Sequence, residues 1–260
     1  MIFESHAHYD DEAFDQDREE LLCSFKDYGI ETVVNVCATV ESLDSTLELM
    51  EAYPFVYGAV GVHPDEVGGM NEEVLEKIRR LSRHEKAVAI GEIGLDYHWN
   101  RENHETQKKW FCAQMEVARE EKMPFIIHSR DAAEDTLSVM KELQAGEMYG
   151  GVIHCFSYSV EIAREYLNMG LYLGIGGVLT FSNARKLKEV AAYAPLEQLV
   201  LETDSPYLAP VPNRGKRNSS LNLPYIAKEL ANLKGIPYDQ VVDVTNANAK
   251  KLFGLDIVRT

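Results

Sequence analysis

The sequence predicts one (β/α)8 barrel of the TIM type, a single domain of the α/β class over residues 1–260. Eight short apolar segments rich in β-branched residues alternate with longer segments of 3.6-residue periodicity. The length of 260 residues, 45% of them hydrophobic, suits one such barrel. A doubly wound open sheet is the competing architecture, and it would more usually show a glycine fingerprint after its first strand. The segment "HAHYDDEAF" at that position has none.

The predicted strands are short and apolar, and the segments between them have helical periodicity. The strands cover 2–6, 32–37, 56–62, 87–93, 124–129, 151–156, 171–177 and 199–204. The helices cover 11–28, 41–52, 71–84, 103–122, 131–145, 159–169, 183–194 and 222–234, with an extra C-terminal helix at 238–252. Asn71, followed by two glutamates, is a predicted N-cap.

Composition excludes several classes of protein. The net charge of −16 argues against a protein that coats DNA or an anionic membrane, although an enzyme can still bind phosphate locally through metal ions. Four cysteines without CxxC spacing indicate free thiols rather than a disulfide framework. The uncharged stretch 166–184 is interrupted by Asn168 and several glycines, so we expect no membrane span. We see no signal peptide and expect a cytoplasmic protein.

Ionisable side chains occur where the predicted strands end. In a parallel barrel these ends meet at one rim, where barrel active sites lie. Without a cation, imidazoles and carboxylates that converge there would repel one another or stay buried without a partner. Both are suitable ligands for divalent transition metals. The six predicted metal ligands are His6, His8, Glu92, His128, His154 and Asp204.

The predicted site is binuclear, with Glu92 shared between two ions. The other ligands of one ion would be His6, His8 and Asp204, and those of the second ion would be His128 and His154. A water between two such ions loses a proton easily and becomes a hydroxide nucleophile near neutral pH. We therefore predict catalytic roles for Glu92 and for Asp204, which would accept a proton during attack.

Further residues of the same rim are candidates for substrate contacts. His63 in "GVHP" is either a seventh ligand or a hydrogen-bond donor to a substrate oxygen, and we favour the latter. Arg214, Lys216 and Arg217 follow the last strand and either bind phosphate or form a solvated basic loop. Arg130 also falls on this rim. Cys155 is interpreted as a packing residue, since no GxSxG elbow is present.

These motifs together resemble the TatD family of metal-dependent hydrolases. The resemblance runs in order through "ESHAH", "GVHP", "GEIGLDY", "IHSRDA", "HCFS", "ETDSP" and "NRGKRNSS" and covers nearly the whole chain. It implies a distorted, amidohydrolase-like TIM barrel with a two-metal centre that hydrolyses DNA phosphodiesters, often as an exonuclease. It also implies the six ligands above and places His63, Arg214 and Lys216 at the substrate phosphate.

Three positions depart from the pattern of that family. Glu4 stands where the family usually has Asp, and Ser219-Ser220 where it usually has Glu-Pro. Asp65 stands where a histidine is frequent, and its negative charge would oppose phosphate binding. These departures bear on the support of the first strand and on the geometry of the substrate loop.

Three functions from different classes are compatible with these residues. The first is a phosphodiesterase that acts on DNA ends or single strands with two divalent ions, Mg²⁺, Mn²⁺ or Zn²⁺. The second is a metallohydrolase of another ester or an amide, for example an aminoacyl ester on RNA. The third is a non-catalytic barrel whose metal ions only stabilise the fold.

Overall fold

The protein folds into a barrel of eight parallel strands that are hydrogen-bonded in sequence order. The computed structural model describes residues 1–99 and 103–255. The strands are β1 (Ile2–Ala7), β2 (Ile30–Val36), β3 (Val56–Val60), β4 (Ala87–Asp96), β5 (Phe125–Arg130), β6 (Gly151–Ile153), β7 (Tyr172–Ile175) and β8 (Leu199–Leu201). A bridge between Ala7 and Ser205, with a hydrogen bond from Asp204 N–H to His6 O (3.0 Å), brings the segment after β8 back to β1. The predicted TIM-type barrel is thus confirmed.

The described residues form nine α-helices, which pack outside the barrel or across one of its ends. They are α1 (Arg18–Ser24), α2 (Ser42–Ala52), α3 (Glu72–Ser82), α4 (His104–Glu120), α5 (Ala133–Glu142), α6 (Val160–Asn168), α7 (Arg185–Tyr193), α8 (Leu223–Lys234) and α9 (Tyr238–Leu252). The predicted N-cap is confirmed, because Asn71 Oδ1 accepts the N–H of Val74 at 3.0 Å. Apart from α1, each described helix corresponds to a predicted one within a few residues at its ends.

The predicted continuous helix 11–28 is wrong. Short 3-10 turns at Glu12–Phe14 and Phe25–Tyr28 flank α1, because the backbone of Asp17 is not helical (φ −143°). The Arg18 side chain reaches back and donates hydrogen bonds to the carbonyl of Tyr9 (2.5 Å) and of other residues before the helix, which turns the chain at this point.

Strand lengths also differ from the predicted ones. β4 is longer, because its last residues continue to pair with β5 as far as Asp96 beside Arg130. β6 and β8 end earlier than predicted, and the chain then leaves the sheet. Cys155 and Asp204 adopt positive φ angles of 43° and 57° at these exits. The left-handed backbone turns these segments into the mouth of the barrel.

Apolar packing lies on both sides of the sheet. The larger cluster fills the space between the strands and the helices. A smaller cluster joins residues of all eight strands with α9, whose following residue Phe253 stacks on Phe3 at 5.8 Å between ring centroids. This packing fills the barrel interior at its amino-terminal end. In the part of the chain that the structure describes, no helix has the length and apolarity needed to cross a bilayer.

Candidate metal centre

The six predicted ligands come together at the carboxyl end of the barrel. His6 and His128 lie in β1 and β5, and Glu92 lies in β4. His8 and His154 follow β1 and β6 by one residue, and Asp204 follows β8 by three. His6 is fully buried and Glu92 is 3% exposed, so the cluster lies at the bottom of the barrel mouth.

Glu92 lies between two groups of histidines, and each of its oxygens faces one group. Its Oε2 atom is 3.3 Å from His6 Nε2 and 3.8 Å from His8 Nε2. Its Oε1 atom is 2.7 Å from His128 Nδ1 and 2.7 Å from His154 Nε2. Asp204 Oδ1 completes the first group, at 3.4 Å from His8 Nε2 and 3.8 Å from His6 Nε2.

The donor atoms of the first group fit a divalent ion. Ligands of a tetrahedral ion lie about 3.3–3.6 Å from one another when each is about 2.0–2.2 Å from the metal. The Nε2 atoms of His6 and His8 are 3.2 Å apart, and the distances to the carboxylate oxygens span a similar range. In the second group, Glu92 Oε1 lies at a hydrogen-bond distance of 2.7 Å from both His128 Nδ1 and His154 Nε2.

Two of these histidines are oriented by acceptors behind the ring. His8 Nδ1 donates to Val36 O at 2.7 Å, and His128 Nε2 donates to Asp96 Oδ2 at 2.9 Å. Each bond places the ring proton away from the cluster and leaves the other nitrogen free to bind an ion. Metal-binding histidines in proteins are usually held in this way.

Burial and the neighbouring charges shift the pKa values of the cluster. Burial, reinforced by His154, lowers the pKa of His6 to about 4. Burial opposes the charged form of Glu92, but His154, His6 and His63 lower its pKa well below the usual range. Burial would also lower the pKa of His128, but hydrogen bonds to Asp96 and Glu92 raise it to about 9. The cluster therefore contains an ionised carboxylate and a neutral imidazole in the first group.

His63 lies next to this cluster, and its hydrogen bonds define which ring nitrogen carries the proton. Its Nδ1 atom accepts the N–H of Asp65 at 3.1 Å, so the neutral ring carries its proton on Nε2. Burial, together with His128, lowers the pKa of His63 to about 3, which keeps the ring neutral. Its Nε2 atom is 3.8 Å from Glu92 Oε1 and faces the cavity. This tautomer presents a hydrogen-bond donor rather than a free ligand atom.

Two buried carboxylates beside the cluster were missed by the sequence reasoning. Asp96 accepts the proton of His128, and Glu202 Oε1 lies 3.9 Å from His154 Nδ1. Strand periodicity was the available signal. Asp96 follows Glu92 by four residues in β4, and Glu202 precedes Asp204 by two residues within the predicted strand 199–204, so alternation along a strand would have placed each carboxylate on the face of a predicted ligand.

The basic loop does not line the cavity as the described residues define it. Arg217 forms a bidentate ion pair with Asp17, with distances of 2.7 and 2.5 Å, and Arg214 lies over the Phe181 ring at 4.3 Å. Lys216 is exposed. The structure thus separates the three predicted phosphate contacts from His63, which does line the cavity.

Arg130 and Cys155 contrast in their surroundings. Arg130 lines the cavity, with its guanidinium 5.3 Å from the centroid of the exposed Trp99 ring. Cys155 is partly buried, and burial raises the pKa of its thiol well above the usual range. A thiol held protonated is a poor nucleophile, in keeping with a packing role.

The family departures at Glu4 and Ser219-Ser220 are in contact with each other. Glu4 is fully buried and accepts hydrogen bonds from Thr203 N–H (2.8 Å), Thr203 Oγ1 (2.7 Å) and Ser220 Oγ (2.8 Å). Ser220 N–H in turn donates to Tyr9 OH at 2.7 Å. The longer carboxylate therefore ties β1 to the segment after β8 and to the loop that follows it.

The cavity above the cluster is about 860 Å³ and strongly acidic. Eight carboxylates line it, against one described cation, Arg130. The carboxylates outside the ligand set are Asp10, Asp11, Glu41, Asp65, Glu66 and Asp96. With the histidines neutral, two dications would leave these eight carboxylates and one guanidinium with a formal charge of −3.

A parallel barrel with a histidine and carboxylate cluster at its carboxyl end defines a metal-dependent hydrolase barrel. Residues 3–254 match the family model "TatD related DNase", and the chain belongs to this family of metal-dependent hydrolases. It is 43% identical to the "Uncharacterized metal-dependent hydrolase YabD" of Bacillus subtilis (strain 168), over 98% of this chain and 100% of that protein.

Two further comparisons agree with this assignment. The chain is 32% identical to the "3'-5' ssDNA/RNA exonuclease TatD" of Rahnella sp. (strain Y9602), over 99% of this chain and 100% of that protein. The crystal structure of YJJV, a TatD homolog from Escherichia coli K12, matches with a TM-score of 0.91 and 29% identity, covering 97% of this chain and 98% of that one. Solved TatD homologues and amidohydrolases share this barrel, which confirms the predicted fold class.

Proposed function

We propose that the protein hydrolyses phosphodiester bonds of DNA, at strand ends or in single strands, with two divalent metal ions. The observation that carries the proposal is the position of Glu92, whose two oxygens face two separate groups of histidines. A bridging carboxylate between two donor groups is a typical arrangement of binuclear hydrolytic sites. The Rahnella relative, named as an ssDNA/RNA exonuclease, supports a nucleic acid substrate.

The proposed ligand assignment follows the two oxygens of Glu92. One ion would bind His6, His8, Asp204 and Glu92 Oε2, and the other would bind His128, His154 and Glu92 Oε1. Mg²⁺, Mn²⁺ or Zn²⁺ is compatible with these donors. Such ions supply Lewis acidity, which polarises the bond under attack and lowers the pKa of water.

The remaining side chains would orient substrate and move protons. Asp204 would accept the proton of the attacking water, since its carboxylate lies beside His8 at the cavity floor. His63 Nε2–H would donate to a phosphate oxygen. Arg130 would contact the same phosphate or its neighbour. Arg214 and Lys216 would contact the strand outside the cavity, whereas a phosphate contact by Arg217 would require it to leave Asp17.

Cleavage of an end-labelled DNA single strand tests the proposal. We expect release of short products with Mg²⁺ or Mn²⁺, complete loss with a strong chelator, and a loss of at least about 100-fold for Asp204→Asn. Asp44→Asn is the matched control, because Asp44 is an exposed partner of Lys77. Cleavage that survives both the chelator and Asp204→Asn would refute the proposal.

The acidic cavity favours a second candidate, hydrolysis of a small neutral ester or amide. A wall that stays negative after two ions bind opposes a polyanion more than a neutral substrate. Charge reversal at Arg214 and Lys216 separates the candidates. It should lower DNA turnover in the first case and spare a small neutral ester in the second. Ion-dependent thermal stability without turnover of any substrate would instead indicate a non-catalytic barrel.

We also propose that the chain acts in the cytoplasm as one domain. All four cysteines are free, which supports a reducing compartment. A single eight-stranded sheet joins the described residues from β1 to β8, which supports the interpretation of 1–260 as one domain.

A further inference from the structure

The four histidines of the metal centre differ in what lies behind their rings. His8 and His128 each donate one ring N–H to an acceptor, Val36 O and Asp96 respectively. His6 Nδ1 and His154 Nδ1 are buried, and neither has a hydrogen-bond partner among the described residues. An N–H left unpaired in such a place costs about 1–3 kcal/mol. Two of the four rings therefore still need an acceptor.

Glu202 is a buried carboxylate at the same place with an unused oxygen. It is fully buried, and its Oε2 atom also lacks a hydrogen-bond partner within the described part of the chain. Its other oxygen, Oε1, accepts the N–H of Cys155 and lies 3.9 Å from His154 Nδ1. One ring nitrogen from each of His6 and His154 and one Glu202 oxygen all lie within 4.8 Å of one another.

The two rings are arranged so that one carboxylate can serve both. His6 and His154 stack with their centroids 3.9 Å apart and an interplanar angle of 14°. Their Nε2 atoms face Glu92. Since Nδ1 and Nε2 lie on different sides of an imidazole, the Nδ1 atoms point away from Glu92, and His154 Nδ1 lies 3.9 Å from Glu202 Oε1.

Gly174 provides the space for this carboxylate. A Cβ at position 174 would lie 2.2 Å from Glu202 Oε2 and 2.6 Å from its Cδ. Glu202 therefore packs directly on the β7 backbone, and any larger residue at 174 would displace it.

We propose that Glu202 is a positioning residue that accepts the Nδ1–H of both His6 and His154, and so directs one Nε2 lone pair to each of two metal ions. The proposal rests on the two-ion site proposed above, because it assigns His6 to one ion and His154 to the other. A direct bond to His154 requires the 3.9 Å separation to close by about 1 Å. One carboxylate then sets the tautomer of a ligand in both halves of the centre, as Asp96 does for His128 alone.

Metal binding by Glu202→Gln tests this role without relying on activity. The amide keeps the shape of the side chain but turns one acceptor into a donor that faces an N–H. We expect Mn²⁺ affinity, measured by titration calorimetry, to fall about 10–100-fold for both ions. Glu202→Asp, which keeps the charge, should recover part of this loss.

Glu4→Gln is the matched control, since Glu4 is an equally buried carboxylate that accepts from Thr203, Ser220 and the backbone N–H of His6 but from no histidine ring. It should lower stability and leave Mn²⁺ affinity within about threefold. Gly174→Ala provides a second perturbation, because it displaces the Glu202 carboxylate and removes no charge. It should reduce Mn²⁺ affinity in the same direction as Glu202→Gln.

Nuclear magnetic resonance of the Zn²⁺-loaded wild type gives a test that needs no variant. Long-range ¹H–¹⁵N correlations should find His6 and His154 protonated at Nδ1. Nε2 protonation of either ring, or Glu202→Gln with wild-type Mn²⁺ affinity, would overturn the inference. So would a wild type that binds no divalent ion. A wild type that binds two ions and responds to Glu202→Gln as expected, but cleaves no DNA, would refute the proposed function and leave this inference standing.

Discussion

Replacing Asp96 by Asn should weaken one ion of the centre and spare the other. Asp96 Oδ2 accepts the His128 Nε2 proton at 2.9 Å, and Oδ1 accepts the backbone N–H of His98 (2.8 Å) and Trp99 (3.2 Å). The two backbone donors will keep the amide oxygen of an Asn on their side. The NH₂ group then faces His128 Nε2 and donates to it, which forces the ring proton onto Nδ1.

The size of the effect follows from which nitrogen is blocked. His128 Nδ1 is the atom that faces Glu92 Oε1 at 2.7 Å and that would bind the second ion. A proton there removes the lone pair, and Asp96 is 1% exposed, so water cannot restore the original tautomer. Loss of such a supporting acceptor costs about 10–100-fold in metal affinity, or about 1.4–2.7 kcal/mol. The first ion does not use His128 and should bind as before.

Calorimetric titration with Mn²⁺ resolves the two ions if their affinities separate in Asp96→Asn. Asp65→Asn is the matched control, because it removes a charge from the same cavity wall without a hydrogen bond to His128. We expect its two affinities to stay within about threefold of the wild type. If Asp96→Asn binds both ions with unchanged affinity, or if Asp65→Asn lowers the same affinity equally, then charge rather than tautomer governs the site and the reasoning fails.

Three further predictions concern substrate contacts and stability. Arg130→Gln should lower kcat/KM for a DNA single strand by about tenfold or more in steady-state assays, and Lys216→Gln by less than about threefold, because only Arg130 lines the cavity. Trp99→Ala should raise KM for the same strand by about 5–100-fold but leave a phosphodiester without bases unaffected, because the exposed indole at the cavity edge offers a stacking face. Gln114→Leu should lower the free energy of unfolding in urea by about 2–4 kcal/mol, since the amide pairs with both the N–H (2.8 Å) and the carbonyl (3.1 Å) of buried Val62.

The part of the site that the sequence predicts is the part set by strand order. His6 and His8 share a strand face by spacing alone, and parallel strands bring their carboxyl ends to one rim. Errors of a few residues in the ends of β6 and β8 did not matter. His154 and Asp204 lie just beyond those strands, and the exits still turn them into the barrel mouth.

Ring orientation and loop direction were beyond the sequence. Nothing in the string "IHSRDA" shows that His128 faces Glu92 through Nδ1 rather than Nε2, because Asp96 on the neighbouring strand decides it. The basic loop shows the same limit. Nearness in sequence to Asp204 suggested a cavity contact for Arg217, but the guanidinium pairs with Asp17, about two hundred residues away. Both outcomes depend on a partner that is distant along the chain.

The acidity of the cavity gives bound ions a second part in any reaction on a phosphodiester. Eight carboxylates and one guanidinium line a volume of about 860 Å³, so without ions the wall stays negative even though the pKa values of His8 and His128 are raised to about 9. Two dications with neutral histidines leave a formal charge of −3, so they lower this repulsion but do not remove it. In the proposed reaction, substrate binding and chemistry would then depend on the same ions. A neutral ester would meet no such barrier. Measuring substrate binding with and without ions, separately from turnover, therefore distinguishes the two candidate functions: binding of DNA should depend on the ions, and binding of a neutral ester should not.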